Sequence, residues 1–160
     1  MPKPITLEKA TDRAQWLCSQ QEKCTFDIRK KLAQWGVEYD DIQKVIDSLL
    51  NDGFIDEKRY AVTFAREKAR FNKWGPKKIE YALRSKRITD EHINQALEEA
   101  CELFDMETLK ELLIKKAKSV NYKNGYDLKM KLLRFGVSRG FEYDDIQKIL
   151  HTILESDNEQ

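Results

Sequence analysis

The chain has little of what interrupts regular structure: three prolines and six glycines among 160 residues. So little punctuation excludes a many-stranded fold, and no stretch sustains the period-two alternation of a half-buried strand. The glycines are scattered, so no phosphate-cradling loop is present. No apolar run is long enough to span a bilayer. Met1-Pro2-Lys3-Pro4 has none of the apolar core of a signal peptide, and a cytoplasmic protein is expected. Three cysteines, Cys18, Cys24 and Cys101, cannot all pair within the chain, and Cys18 and Cys24 lack the CxxC spacing, so reduced, buried thiols are expected. His92 and His151 are the two histidines, and neither sits near two cysteines. No metal or cofactor is expected.

What the chain does have is repetition. Glu38-Tyr39-Asp40-Asp41-Ile42-Gln43-Lys44 returns unchanged as Glu142-Tyr143-Asp144-Asp145-Ile146-Gln147-Lys148, and a diverged relative, Thr89 to Gln95, lies between them. Each copy follows a helix-like stretch, ending respectively at Gly36, Arg87 and Gly136. The steps from Leu32 to Leu83 and from Leu83 to Leu132 are 51 and 49 residues. Periods of this size indicate stacked supersecondary units that present an extended surface. The pattern predicts an all-α fold of three tandem three-helix, helix-turn-helix-like repeats, 1–53, 54–104 and 105–160, forming an elongated, curved molecule with a polar, frayed tail from Ser156.

Within each repeat the apolar period is helical. In the first, Ala10, Ala14, Leu17 and Cys18 form one stripe, Ile28, Leu32 and Trp35 another, and Ile42, Val45, Ile46 and Leu49 a third. Thr25 is expected to cap the second helix and Gly36 to close it. Asp40 with Gln43 predicts a capping box for the third, and Asp144 with Gln147 the same in the last repeat. In the middle repeat, Asp56 and Thr89 are caps, Ile55 is expected to staple onto Tyr60, and Gly75-Pro76 starts a helix with proline at its first position. Ser138-Arg139-Gly140-Phe141 reads as an insertion. The paired aspartates are explained as caps, and no His, Cys or Ser partners them at matching places, so no enzyme is expected.

Charge is segregated although the net is only +1. From Lys58 to Arg87 eleven basic residues face only Glu67 and Glu80, a surplus of nine positive charges. From Asp90 to Glu111 eight acids face Lys110 alone. Arg59, Arg66, Arg70 and Lys73 are expected on one face of one helix, and Lys77, Arg84 and Arg87 on one face of the next. Lys131 and Arg134 form a secondary set. Cations spaced in this way suit phosphates repeating along a polymer, and about six such contacts give a log K against log salt slope of roughly −5. Phe71, Trp74 and Tyr81 are interleaved with them; Trp16, Trp35 and Trp74 are expected as core anchors.

The run Phe54-Ile55-Asp56-Glu57-Lys58-Arg59-Tyr60-Ala61, followed by Gly75-Pro76-Lys77-Lys78-Ile79-Glu80-Tyr81-Ala82-Leu83-Arg84-Ser85-Lys86-Arg87-Ile88, resembles the RecX family of bacterial RecA regulators. Arg87 stands where that family usually has glycine. The resemblance implies three three-helix units that bind in the groove of a RecA–DNA filament. It implies inhibition of strand exchange, ATP turnover and coprotease activity, in DNA recombination, repair and the SOS response. Under it, Arg59, Arg66, Arg70, Lys73, Lys77, Arg84, Arg87, Lys131 and Arg134 are the candidate contacts to RecA or to single- or double-stranded DNA, and a monomer is expected. The residues by themselves also allow a stand-alone helical DNA-binding protein, or a helical-repeat scaffold that uses its basic stripe only for solubility.

Overall fold

The computed structural model describes residues 5–158, with side chains through Glu155. Met1 to Pro4, Glu159 and Gln160 lie outside the described residues. Nine helices follow one another without a strand among the described residues: α1 (Leu7–Gln20), α2 (Thr25–Gln34), α3 (Tyr39–Asn51), α4 (Glu57–Phe71), α5 (Pro76–Ser85), α6 (Asp90–Glu99), α7 (Met106–Ser119), α8 (Gly125–Ser138) and α9 (Tyr143–Asn158), with a 3-10 turn at Cys101–Leu103. They pack in threes. α1 and α2 lie against α3, α4 and α5 against α6, and α7, α8 and α9 against one another. α9 remains helical through Asn158, so the expected fraying does not begin at Ser156.

Each triplet buries its own apolar cluster. Ile28, Leu32, Ile46 and Leu49 fill the first, Ile79, Leu83 and Ile93 the second, Leu109, Leu113, Leu132 and Ile146 the third. The clusters borrow across their boundaries. Phe54 and Ile55 serve the first core, while Cys24 and Phe26 reach forward into the second. Ile55 and Tyr60 therefore do not staple one helix end. They are buried in different cores because the chain between them crosses from one unit to the next.

One turn recurs in all three units. Gly36, Arg87 and Gly140 adopt left-handed backbone, with φ of 82°, 61° and 96°. The next residue, Val37, Ile88 or Phe141, is buried. Its N–H donates back to the carbonyl of Leu32, Leu83 or Gly136 at 3.0, 3.1 and 3.2 Å. This is the Schellman closure, which satisfies carbonyls the helix leaves open and points an apolar side chain into the core. It corrects one expectation. Gly136 does not end α8. It lies inside the helix, buried beneath Ile146, and the exit falls at Gly140. The four inserted residues add about one helical turn, so the helix keeps nearly the same face toward the core.

Several caps form as expected. Asp56 accepts from the Arg59 amide at 3.0 Å and Thr89 from the His92 amide at 3.3 Å, and Pro76 opens α5. Others do not. The N-cap of α3 is Glu38, without a side-chain bond, and Asp40 and Asp41 sit inside the first turn. There their charge faces the positive end of the helix rather than closing it. Gln43 turns outward to Asp47 and Arg29 in place of completing a box. Thr25 is the first residue of α2, and its amide is capped across the repeat boundary by Glu57 at 2.7 Å.

Two junctions join the units. Between the first and second, side chains do the work: the Glu57 cap, a Lys86–Asp27 pair at 2.6 Å, and Arg59 reaching Glu22 at 2.6 Å. Between the second and third, backbones touch. The Gly75 amide donates to the Arg139 carbonyl at 2.6 Å and the Lys77 amide to the Gly140 carbonyl at 2.9 Å. A Cβ on Gly75 would lie 2.5 Å from the Gly140 carbonyl carbon.

Two glycine exchanges therefore have opposite expected signs. A non-glycine left-handed residue costs about 1–2 kcal/mol, against about 0.5–1 kcal/mol for glycine's extra chain freedom. Arg87→Gly is expected to raise unfolding free energy by up to about 1 kcal/mol. Gly75→Ala forces backbone apart and is expected to lower it by about 1–3 kcal/mol. Urea titration followed by circular dichroism reads both.

Candidate functional site

The basic surface is assembled by α4, α5 and the two turns flanking α5. The exposed face of α4 carries Arg66 and Arg70, because Tyr60, Ala61, Ala65 and Ala69 take the inner face. Lys73 is not on that helix, as the spacing suggested. α4 ends at Phe71, and Lys73 occupies a left-handed position, φ 56°, in the turn before Gly75. Arg87 likewise lies beyond α5, in the left-handed turn that closes the unit. Among the described residues, Lys73 and Arg87 are the non-glycine residues with positive φ.

The nine candidate cations separate by their partners. Arg59 is committed internally: its Nε donates to Glu22 at 2.6 Å and its guanidinium also reaches the Gly53 carbonyl at 3.0 Å. Arg84 bridges Glu80 at 2.8 Å and Asp90 at 3.1 Å. Lys131 donates to the Asn121 carbonyl at 2.7 Å and pairs with Asp127 at 3.2 Å. The pairs on Arg59 and Arg84 raise both guanidinium pKa values further. Asp127 is held below the usual carboxylate range chiefly by accepting from the Lys123 amide, with Lys131 second. Lys77 pairs with Glu142 at 3.1 Å, and Arg66 stands 4.0 Å from Glu99. Arg70, Lys73, Arg87 and Arg134 make no ion pair with a described residue. The first three of these belong to the middle unit.

Large aromatics stand out among these cations. Phe71 is 75 % and Tyr81 77 % exposed. Trp74 is half-buried on the second core, edge-on to Phe64, with Lys68 and Lys78 over its ring at 4.9 and 4.5 Å. It anchors the turn, while Phe71 and Tyr81 face outward. Trp16, expected in the core, is 60 % exposed on α1, whose buried stripe is Ala10 and Ala14. The thiols divide as well. Cys24 is buried, which pushes its pKa up to about 11, but Cys18 is half-buried and Cys101 exposed, against the expectation of buried thiols.

Sequence spacing missed one cluster, because its members come from different repeats. A cleft of about 270 Å³ at the first junction is lined by Arg29, Lys86 and Arg87 together with Phe26, Glu57 and His92. No local signal pairs Arg29 with Arg87. The nearest clue is Phe26, an aromatic too far from the first apolar stripe to be needed there. Among the described residues, no group of three or more His, Cys, Asp or Glu is placed to hold a metal ion, and no helix is long and apolar enough to cross a membrane.

The division of these cations makes Arg59 structural. Arg59→Ala removes the pair to Glu22, which already has one buried carboxylate oxygen unpartnered. Allowing for solvent screening of a side chain that is 44 % exposed, the expected loss is about 1–2 kcal/mol. Arg70→Ala is expected to change stability by less than about 0.5 kcal/mol. Thermal melts of the two variants check the contrast.

Comparison with known proteins follows the same architecture. The family profile for the second three-helix domain of RecX matches residues 56–97, and that for its third three-helix domain matches residues 104–150. A protein named regulatory protein RecX, from Bacillus mycoides, is 32 % identical over 155 residues, which is 96 % of this chain and 57 % of that protein. The protein of the same name from Bacillus thuringiensis is 28 % identical over 154 residues. The chain thus spans 57 % of the length of these curated relatives. The crystal structure of RecX from Lactobacillus salivarius superposes with a TM-score of 0.77 at 25 % identity, covering 91 % of this chain and 95 % of that one. A second RecX crystal structure superposes with a TM-score of 0.81 at 24 % identity, over 89 % of this chain and 70 % of that one, and adds support for the fold.

Proposed function

The chain belongs to the RecX family, and from that premise we propose that it binds a RecA filament and inhibits recombinase, ATPase and coprotease activity without catalysing a reaction itself. The curated relatives are named regulatory proteins. The observation that carries the reading is the unpaired cationic surface of the middle unit, Arg70, Lys73 and Arg87, with Arg66 4.0 Å from Glu99 beside it and Lys77 held in an exposed pair with Glu142. Arg59 and Arg84 have internal partners and serve the binding surface indirectly, by holding the helices and turns of the middle unit, while Lys131 is held within the third unit by Asp127 and the Asn121 carbonyl. Arg134 is an outlying contact on the third unit.

The mechanism is occupancy. A body built of linked rigid units, docked across neighbouring subunits, holds a filament in whichever state it fits better. Such a ligand shifts an equilibrium only by its differential affinity for the two states. Binding to the nucleotide-loaded filament is therefore tighter than binding to free RecA. The exposed rings of Phe71 and Tyr81 favour an added contact to single-stranded DNA, since each base presents a face for stacking worth about 1–3 kcal/mol. Action is proposed in the cytoplasm, in DNA recombination and repair, by a monomer.

A RecA strand-exchange and ATPase assay, run with and without the protein, tests the proposal. Wild type is expected to inhibit both. Arg70→Glu with Lys73→Glu is expected to raise the half-inhibitory concentration at least tenfold while leaving the melting temperature nearly unchanged. Inhibition equal to wild type by that variant, or none by wild type, overturns it.

A further inference from the structure

The cleft between the first and second units gathers positive charge that the protein's own acids offset only in part. Lys30, Lys86 and Arg87 all stand over the single ring of Phe26, at 5.6, 5.7 and 5.8 Å from its centroid. An aromatic face attracts one cation, but three cations gathered on one ring repel one another. Lys86 is neutralised by Asp27 at 2.6 Å. Among the described residues, Arg87 has no carboxylate partner, and Arg29, on the cleft wall, hydrogen-bonds the side-chain amide of Gln43 and pairs with no carboxylate. Glu57, the acid that lines the cleft, is taken by the Thr25 amide at 2.7 Å. Arg87 also holds a left-handed backbone that glycine would occupy at lower cost. Conformational strain and like-charge crowding thus coincide on one side chain, and strained residues concentrate where a partner is gripped. A buried nitrogen of His92, Nδ1, has no hydrogen-bond partner in the same wall.

We propose that this cleft is a receptor for a carboxylate side chain of a partner protein, gripped between the guanidiniums of Arg29 and Arg87. Guanidinium binds carboxylate through two parallel hydrogen bonds, a geometry that an ammonium cannot offer. A concave volume of about 270 Å³ admits an aspartate or glutamate side chain with its methylenes against Phe26. Continuous nucleic-acid backbone is better met by the open surface of Arg66, Arg70 and Lys73. The inference rests on reading the chain as a protein-binding regulator, and it adds a second, acid-specific contact at the opposite end of α5 from Lys73.

The test is a titration of the ¹⁵N-labelled full chain with capped tetraglutamate peptide, followed by NMR. Saturable shifts are expected at the amides of Thr25, Arg87 and Thr89, and at least a tenfold loss of affinity in Arg29→Gln with Arg87→Gly. Because Arg87→Gly relieves strain, that variant is expected to stay folded; a melt verifies this, and Arg87→Gln replaces it if it does not. Shifts confined to α4 and α5, or equal saturation by inorganic phosphate or a thymidine 20-mer, overturn the carboxylate assignment. A single variant separates this inference from the broader one. If wild type binds RecA filaments and Arg29→Gln alone binds them and the peptide as tightly as wild type, the cleft assignment fails, while the filament reading is decided separately by the Arg70→Glu with Lys73→Glu variant. If wild type does not bind filaments yet the peptide titration succeeds, the filament reading fails and the cleft stands.

Discussion

Everything in this fold is referred to the left-handed turn that closes the second helix of each unit. It reverses the chain in about three residues, returns an N–H to a helix carbonyl that would otherwise be unpaired, and delivers Val37, Ile88 or Phe141 to a core. The third helix then starts at a fixed distance, at Tyr39, Asp90 or Tyr143. Because this geometry is local, each unit closes on its own apolar cluster and the three can diverge in surface without losing register. The third unit illustrates the tolerance. Its extra turn of α8 leaves the closure intact and simply carries it four residues further along the chain. The displacement has a consequence for assembly. Arg139 and Gly140 now reach α5, where their carbonyls accept from Gly75 and Lys77, so the insertion is what builds the second junction.

The two junctions are built differently. Backbone contact at Gly75 and Gly140 leaves no room even for a methyl group, and such packing moves little without breaking. The first junction relies on half-exposed ion pairs and one cross-boundary cap. Pairs of that sort contribute about 0–1 kcal/mol each and weaken as salt rises, since dissolved ions compete for half-exposed charges. The shared aromatic Phe26 and the buried Cys24 tie α2 into the second core and limit how far that junction can open. The first junction therefore joins shared apolar packing to charge-dependent pairs, while the second joins two backbone hydrogen bonds to the exposed Lys77–Glu142 pair.

Much of this was legible from residue order. Apolar stripes at helical spacing located all nine helices, because burial at i, i+3 and i+4 leaves a record in every stretch. Asp56, Thr89 and Pro76 announced helix starts through chemistry confined to one turn. Gly136 misled for the opposite reason. A glycine inside a helix and a glycine ending one look alike in sequence, and what separates them is Ile146, whose side chain fills the space a Cβ would need. The surroundings of Arg59 and Arg29 were not legible because they come from far away in the chain: Glu22 for one, the cleft neighbours Phe26 and Arg87 for the other. Trp16 read as core by residue type, yet the α1 stripe was already complete with two alanines.

The count of basic residues overstates the charge available to a partner. Binding to a polyanion releases the counterions condensed on its phosphates, and a cation already paired with a carboxylate is less free to neutralise a phosphate. Of the nine cations marked by spacing, Arg59, Arg84 and Lys131 are spoken for, and Lys77 and Arg66 are shared. About four remain whole, for which the salt slope on duplex DNA is nearer −4 than the steeper value nine would give. A surface of that strength holds nucleic acid only weakly by itself at physiological salt. On the proposed reading, specific docking then depends on shape, and on groups that discriminate geometry as well as charge: the exposed rings of Phe71 and Tyr81, and the guanidinium of Arg87 in its left-handed turn. Lys73 and Arg87, the left-handed cations at either end of α5, have their backbone positions set by the two turns, while their exposed side chains keep rotamer freedom that a partner would have to order.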